Sequence, residues 1–261
     1  MGHFRLRRST ILPLAVLLGL LLVWEVAVRV FRIPVYLLPA PSEIWRETAA
    51  IPQRTIENTV ATLETVLLGF AVSVLVSLPI AVMIAYSRWF AEAVYPLLVF
   101  TQSIPKVALA PILVVAIGAN ELPRVIVTFL VAFFPLVISA ATGLLATPKE
   151  LCELGRCHMA SWWQELAYIR FPYAVPYVFS GVKVAITLAV VGAVVGEFVA
   201  ADRGLGYMIT SSAAYFRTPL AYGAMVLLSL MGIVLFQVVV VIEKVFFPWS
   251  VGIAQHDQRA G

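Results

Sequence analysis

A chain of 261 residues, 62% hydrophobic and only 12% charged, with a mean hydropathy of +0.97, lacks the polar surface that a water-soluble globule of this size requires. Its formal net charge of +4 is scattered along the sequence instead of gathered into one basic face, which excludes nucleic acid as a partner. Helical spans of roughly 20 residues leave room for about six plus connections, so the predicted class is an all-α polytopic protein of the lipid bilayer.

Arg5, Arg7 and Arg8 precede an apolar run at about 11–30. No small-residue cleavage site follows it, and the next residues are bulky (WEVAVRVF), so the run reads as an uncleaved first span. Glu25 and Arg29 near its end are spaced to face each other on a helix and to pair. The segment 31–58 is polar and marked by Pro34, Pro39, Pro41 and Pro52, which makes it a connection. Within it Ser42 is the expected cap of a short interfacial helix reaching about Ala50.

Three charge-free runs, Thr65–Ser87, Val125–Pro148 and Thr218–Ile242, are long enough to cross a bilayer alone. At ~1.5 Å per residue each reaches roughly 35 Å, against about 30 Å of hydrocarbon. Two more runs are each interrupted by one lysine, Ala93–Asn120 by Lys106 and Phe171–Gly196 by Lys183. Six spans are therefore expected in one domain, at about 11–30, 62–86, 92–118, 124–146, 174–200 and 218–246. On this topology the basic residues divide nine against seven between the two sides, so the N-terminal arginine cluster decides for cytoplasmic N- and C-termini.

Between the fourth and fifth spans lies a polar island, Lys149–Pro172, reading KELCELGRCHMASWWQELAYIRFP. Its charges, adjacent tryptophans and closing proline do not suit a span. They suit a cytoplasmic loop that folds as a short helix pair and meets a partner. Cys152 and Cys157 point apart on a helix, and only His158 stands near them, so they read as two free thiols with no disulfide and no metal. His3, His158 and His256 are far apart in sequence. No HExxH, GxSxG or phosphate-loop pattern is present, so neither an enzyme nor a cofactor is expected. Energy for uphill movement must then come from another chain or from an ion gradient.

The island is similar to the cytoplasmic EAA loop of ABC importer permeases: Glu-Ala-Ala, three residues, Gly, nine residues, an aliphatic residue, one residue, Leu-Pro. Counted back from Pro172, this chain offers Glu153-Leu154-Gly155, Met159, Ile169, Phe171 and Pro172. Gly155 replaces the second alanine. Met159 stands where the family has glycine, although methionine disfavours positive φ. Ala160-Ser161-x-Trp163-Gln164 resembles the usual continuation. SGVKVAITLAVVGAVVGEFVAADRGLGYMI (Ser180–Ile209), LPAPSEIW (Leu38–Trp45) and IPKVALAP (Ile104–Pro111) resemble the nitrate/sulfonate/taurine-type permeases, nearest the branch associated with pyrimidine thiamine precursors and related heteroaromatic compounds.

The resemblance implies a type I ABC importer permease fold in the bacterial inner membrane. It also implies a second permease copy, two cytoplasmic ABC ATPase subunits and an external substrate-binding protein. The island becomes a coupling helix seated on the ATPase. Trp162 and Trp163 are its aromatic anchors and Glu153, Arg156 and Glu165 its polar rim, with Gly155, Met159, Ala160, Ser161 and Pro172 the other motif positions. A helix lying on the membrane surface is the competing reading of the same residues.

The ionisable residues inside the spans complete the picture. A lysine near the bilayer centre costs roughly 2.5–3.5 kcal/mol on insertion scales. Pro105 breaks the helix there and frees backbone groups that need protein or water. Gln102, Ser103, Pro105 and Lys106 are therefore the expected translocation path or gate, against a lysine held structurally. Lys183 is expected to snorkel to the near membrane surface. Glu197 and Asp202 end the fifth span on the outer side, where they either contact the binding protein or form a capping pair. Gly192 and Gly196, with Ala189 and Ala193, are spaced for close helix packing, the dimer interface among the candidate places. A gradient-driven carrier is the alternative function. Against it stand the lack of an inverted-repeat hydropathy pattern and of an intramembrane acid suited to proton coupling.

Overall fold

The computed structural model describes residues 3–250, without the side chains of residues 3–10, 14 and 200. The arginine cluster at positions 5, 7 and 8 therefore has only its backbone described, and His256 and Arg259 lie outside the described residues. The described residues form eleven α-helices and one π-helical turn.

Helix α1 (His3–Val30) runs along the outside of the bundle with most of its apolar side chains exposed, as suits a helix sheathed in lipid. Glu25 and Arg29 pair at 2.5 Å as their spacing predicts. Helix α2 (Pro41–Ala49) follows, but Ser42 is not its cap. Ala40 occupies the cap position, Pro41 takes the first turn where its missing N–H is harmless, and Glu43 reaches back to the Ala40 amide at 3.3 Å. Ser42 instead donates from its amide and hydroxyl to Glu25, at 3.0 and 2.8 Å, and so ties α2 to α1.

Helix α3 (Pro52–Tyr86) starts earlier than the charge-free run, because Pro52 opens a polar first section that belongs to the same helix. The run expected as a single span at 92–118 is two helices, α4 (Arg88–Ser103) and α5 (Lys106–Ile117), bent by 88° at the break. Ile104 is extended there (φ −75°, ψ 125°), as a residue before proline prefers, and Pro105 supplies no amide to continue α4. Helix α6 (Glu121–Leu145) leads to the island. The island folds as α7 (Lys149–Cys157), α8 (Trp162–Glu165) and a π-turn (Leu166–Arg170) that runs directly into α9 (Phe171–Ala200). Helix α10 (Leu205–Ala214) was not foreseen from the sequence, and α11 (Thr218–Phe246) closes the bundle. Five of these helices are long and apolar enough to cross a membrane, or six if the bent α4–α5 pair is one crossing.

The centre of the molecule is α6, clasped between α3 and α9. Gly192 and Gly196 belong to that contact. A β-carbon at Gly192 would lie 2.8 Å from the Thr128 Cα, and one at Gly196 2.9 Å from the Arg124 Cα. The small-residue stripe thus brings two backbones of the same chain together, not those of two copies. Apolar side chains of α3, α6, α9, α10 and α11 fill the middle, with Val66, Leu136 and Leu205 fully buried. A second cluster, including Ile84, Val137, Leu144 and Ala174, fills the end nearer the island. Lys183 does not snorkel. It meets Glu243 of α11 at 2.5 Å, and Ser250 donates to the same carboxylate at 3.1 Å. A partner acid within reach makes pairing cheaper than carrying the charge to the membrane surface.

Candidate functional site: the polar coil and the two ends of the bundle

The island is an ordered coil held by three devices. Helix α7 ends in a left-handed turn, with Met159 at φ +57°. The Ala160 amide donates to the Gly155 carbonyl at 3.0 Å, and the Met159 amide to Arg156 at 2.9 Å. That pair of bonds is the Schellman closure, normally built on glycine. Methionine therefore adopts the conformation of the residue it replaces, at a strain of about 1–2 kcal/mol. Met159→Gly is expected to raise the thermal stability of the coil by about 1 kcal/mol. Slower limited proteolysis between Arg156 and Arg170 would register the gain, and an unchanged rate would refute it.

The second device is a capping box. Ser161 accepts from the Gln164 amide at 3.4 Å, and Gln164 accepts from the Ser161 amide at 2.7 Å. The third is a charge triad. Glu165 is only 4% exposed, and it accepts from Arg156 Nε at 3.1 Å and from Arg170 Nε at 2.8 Å. Glu165 is thus not on the polar rim; burial of a carboxylate between two guanidiniums makes it the coil's internal anchor. Burial pushes its carboxyl up, but the hydrogen bonds and charges of Arg156 and Arg170 outweigh this and hold it below the ordinary glutamate value. At ~1.5 Å per residue the continuous helical stretch 162–199 is far longer than a bilayer core, so this triad stands outside the 174–200 span.

Arg170 reaches further. Its guanidinium sits 4.7 Å from the centre of the Tyr86 ring, at the last residue of α3, and its Nη1 lies 3.5 Å from the Leu144 carbonyl near the end of α6. Trp162 packs edge-on against the same Tyr86 ring at 5.1 Å and against Trp163 at 4.3 Å. Gly155 sits against the tip of Ile169, which brings the two ends of the motif into contact. Glu153, Ser161 and Trp163 point outward, Trp163 with 68% and Met159 with 92% of its surface exposed. Ala160 and Pro172 are half-buried in the frame. Cys152 is buried and Cys157 exposed.

At the α4–α5 bend, Gln102, Ser103 and Pro105 are exposed and Lys106 is half-buried. Among the described residues Lys106 makes no ion pair; its ammonium lies 6.0 Å from the centre of the Phe134 ring on α6.

The bundle end opposite the coil separates Glu197 from Asp202. Glu197 is 1% exposed and turned into the bundle. It accepts from Thr62 Oγ1 at 2.8 Å and from the Gly206 amide at 2.7 Å, capping the N-terminus of α10 with its carboxyl group. Thr62 also receives the Leu205 amide and Asn58 the Gly204 amide, both at 2.7 Å. Gly204 is at φ +120°, where a β-carbon would also strike the Glu197 carboxylate at 2.4 Å, so only glycine fits. Nearby, Glu121 pairs with Arg203 and with Arg124 (the latter at 3.7 Å). Asp202 is exposed and lines a cavity of about 760 Å³ together with Arg54, Glu57, Tyr207 and Arg217.

Sequence reasoning missed Tyr86, Thr62, Glu243 and the structural part played by Arg170. The spacing of Glu197 from the glycines of Gly204-Leu205-Gly206 was the one available signal, an acid ahead of a glycine-bounded helix start.

Comparison with known proteins places this geometry. Residues 77–250 match the family described as binding-protein-dependent transport system inner membrane component. The riboflavin transport system permease protein RibX of Chloroflexus aurantiacus is 34% identical, over 92% of this chain and 90% of its own. The formylaminopyrimidine transport permease protein ThiX of Halalkalibacterium halodurans is 34% identical, over 91% of this chain and 95% of its own. Among solved structures, an inward-facing form of the MetNI methionine ABC transporter matches with a TM-score of 0.67 at 17% identity, covering 75% of this chain and 97% of that one, a likeness of fold. The chain belongs to the binding-protein-dependent transport system inner membrane component family: it is a multi-pass permease subunit of an ABC importer, with the type I permease fold, and ATP hydrolysis resides in separate subunits.

Proposed function

We propose that the chain forms the membrane path for a small heteroaromatic substrate resembling a thiamine pyrimidine precursor. Two copies would work with two ATPase subunits seated on the 149–172 coil and with an external binding protein. The N- and C-termini and the coil would face the cytoplasm, with Asp202 and its cavity outside. The observation that carries the ATPase contact is an ordered coil anchored inward through Glu165 and Arg170 while Glu153, Trp163 and Met159 project. A helix merely lying on lipid would leave its tryptophans free to settle into the headgroups, whereas Trp162, though part-exposed, is fixed edge-on against Tyr86 at the end of α3. The substrate class rests on the riboflavin and formylaminopyrimidine permeases named above, both of which carry heteroaromatic compounds. Sulfonates, taurine or nitrate are the second choice.

Purification of the tagged chain from its native membrane tests the assembly; a co-purifying cytosolic ATPase is the expected result, and a chain recovered alone from conditions that preserve complexes would contradict it. Uptake of a formylated aminopyrimidine, competed by riboflavin and by taurine, tests the substrate class. Trp163→Ala is expected to remove an interface anchor worth about 2 kcal/mol or more, lowering ATPase retention roughly 30-fold with the chain still inserted. Glu153→Lys should act in the same direction.

We further propose that Gln102, Ser103, Pro105 and Lys106 line the path, because the broken helix leaves the first three exposed beside a lysine that makes no ion pair among the described residues. Lys106→Met is expected to change pyrimidine uptake about tenfold, the worth of one lost polar contact, without loss of folded protein. Kinetics identical to the parent chain would remove Lys106 from the path.

A further inference from the structure

We propose that Arg170 is the positioning residue through which the coil and the membrane helices move as one body. The inference rests on the reading of the coil as the ATPase seat.

One guanidinium touches everything the coil must move. It bonds Glu165 in the coil, faces the ring of Tyr86 at the end of α3 and approaches the Leu144 carbonyl near the end of α6. Its own backbone is the last residue of the π-turn that becomes α9. The three helices it meets, α3, α6 and α9, are the ones that form the packed centre of the bundle. Each contact suits arginine and not lysine. A planar fork can hold a carboxylate along its edge while its face lies on an aromatic ring. Leu144 lies in the last turn of α6, where carbonyls lack helix partners and a cation is favourable.

The π-turn is what makes this reach possible. An ordinary helix places residues i and i+4 together, whereas the wider turn brings Glu165 and Arg170, five apart, into contact. Such turns recur at functional sites because they interrupt the regular ladder at a chosen place. Two apolar contacts accompany this cluster: Trp162 packs against the same Tyr86 ring, and Leu166 of the π-turn packs against the cluster that holds Ile84, Val137 and Leu144. Of these, the Arg170–Tyr86 pair is the directional, polar link by which a push on α7 and α8 reaches α3 and α6, whereas the apolar contact of Leu166 can slide. Tyr86 contributes its ring and not its hydroxyl, which is buried without a hydrogen-bond partner among the described residues.

The test uses the complete complex with its ATPase, with one spin label on the exposed Cys157 of α7 and another on Met83→Cys near the end of α3. ATP plus vanadate traps the ATPase, and the distance between labels is read before and after. In the otherwise unaltered chain the distance is expected to stay fixed on trapping. In Arg170→Gln, where Glu165 keeps only the solvated Arg156 as partner, ATPase retention should fall, but the complexes that form should hydrolyse ATP and the distance should shift on trapping, because the coil follows the ATPase and α3 no longer does. Arg170→Lys should shift part of the way, Tyr86→Phe should behave as the parent, and Tyr86→Leu as Arg170→Gln. A distance that shifts in the parent chain overturns the proposal, as does one that stays fixed in both Arg170→Gln and Tyr86→Leu. Loss of the ATPase from both Arg170→Lys and Tyr86→Leu also overturns it, since the cluster would then fold the coil and not transmit through it. A parent chain that holds no ATPase at all is a separate result, and it removes the seat itself together with this role for Arg170.

Discussion

Replacing Glu165 by alanine is expected to be among the most damaging single changes in this chain. The carboxylate stands between Arg156 and Arg170, and the two arginines are placed very differently. The Arg156 side chain is largely solvated (62% exposed), so it returns to water at little cost. The Arg170 side chain is 14% exposed, so it is left as an uncompensated charge beneath the coil. Breaking a buried pair from one side costs about 3–5 kcal/mol, which exceeds what a short loop of two small helices supplies for itself. The coil should lose its order, ATPase retention should fall by more than about 100-fold, and the membrane helices should still insert. Glu165→Gln, which keeps an acceptor without the charge, should fall between. Proteolysis at Arg156 and Arg170 together with ATPase co-purification reads both effects, and a Glu165→Ala chain with parental retention would refute the anchor. The pH dependence has a definite sign. A carboxyl held below its ordinary value stabilises the coil above the unfolded glutamate pKa and loses that contribution as pH falls through the depressed value. Coil order should therefore survive mild acid and fail only below the ordinary glutamate range.

Gly192→Leu is expected to be the most damaging change within the bundle. The β-carbon alone would lie 2.8 Å from the Thr128 Cα, and backbone cannot rotate away as a side-chain tip can. Helices α6 and α9 would have to separate along the contact that organises the molecule. Overpacking of an interior costs about 1–3 kcal/mol where side chains can adjust, and this site offers less adjustment. In lipid there is no compensating hydrophobic drive to close the helices again. Fluorescence-detected size exclusion should show loss of most of the monodisperse protein. Gly19→Leu and Gly232→Leu are matched controls, since nothing lies within 4 Å of either added β-carbon. Equal tolerance of all three changes would mean that α6 and α9 do not pack as described.

What could be read from the sequence followed from local rules. Pro105 announced the break at the centre of the third run because a missing amide and a restricted preceding residue act where they stand. The sequence did not give the 88° angle, which depends on how α5 lies against α6 and α9. The island announced itself by composition, and its motif spacing aligned Gly155 and Ile169, which do touch. Glu165 was misplaced on the rim because an α-helical period does not join it to Arg170. Only the π-turn does, and nothing in LAYIR marks one. Lys183 and Glu243 were invisible as a pair for another reason: sixty residues and a whole helix separate them, and charge counting cannot supply proximity. Glu197, near the end of its helix, read equally as a binding-protein contact or as half of a capping pair with Asp202, and the structure uses it as a cap of a different helix. Its burial comes from α10, a helix whose existence was itself missed.

The lysine–acid pair across α9 and α11 also bears on how the protein is made. The chain emerges N-terminus first, so α9 enters the membrane bearing Lys183 before Glu243 has been synthesised. Until α11 arrives, that span carries an unpaired charge whose cost against insertion stays below the roughly 2.5–3.5 kcal/mol of a lysine at the bilayer centre, because Lys183 lies toward one end of the span. Arrival of the last helix thus completes the stability of an earlier one, and a chain cut short before Glu243 would keep an unneutralised cation within its fifth crossing. The stability of the fifth crossing is settled only once the last helix of the bundle is in place.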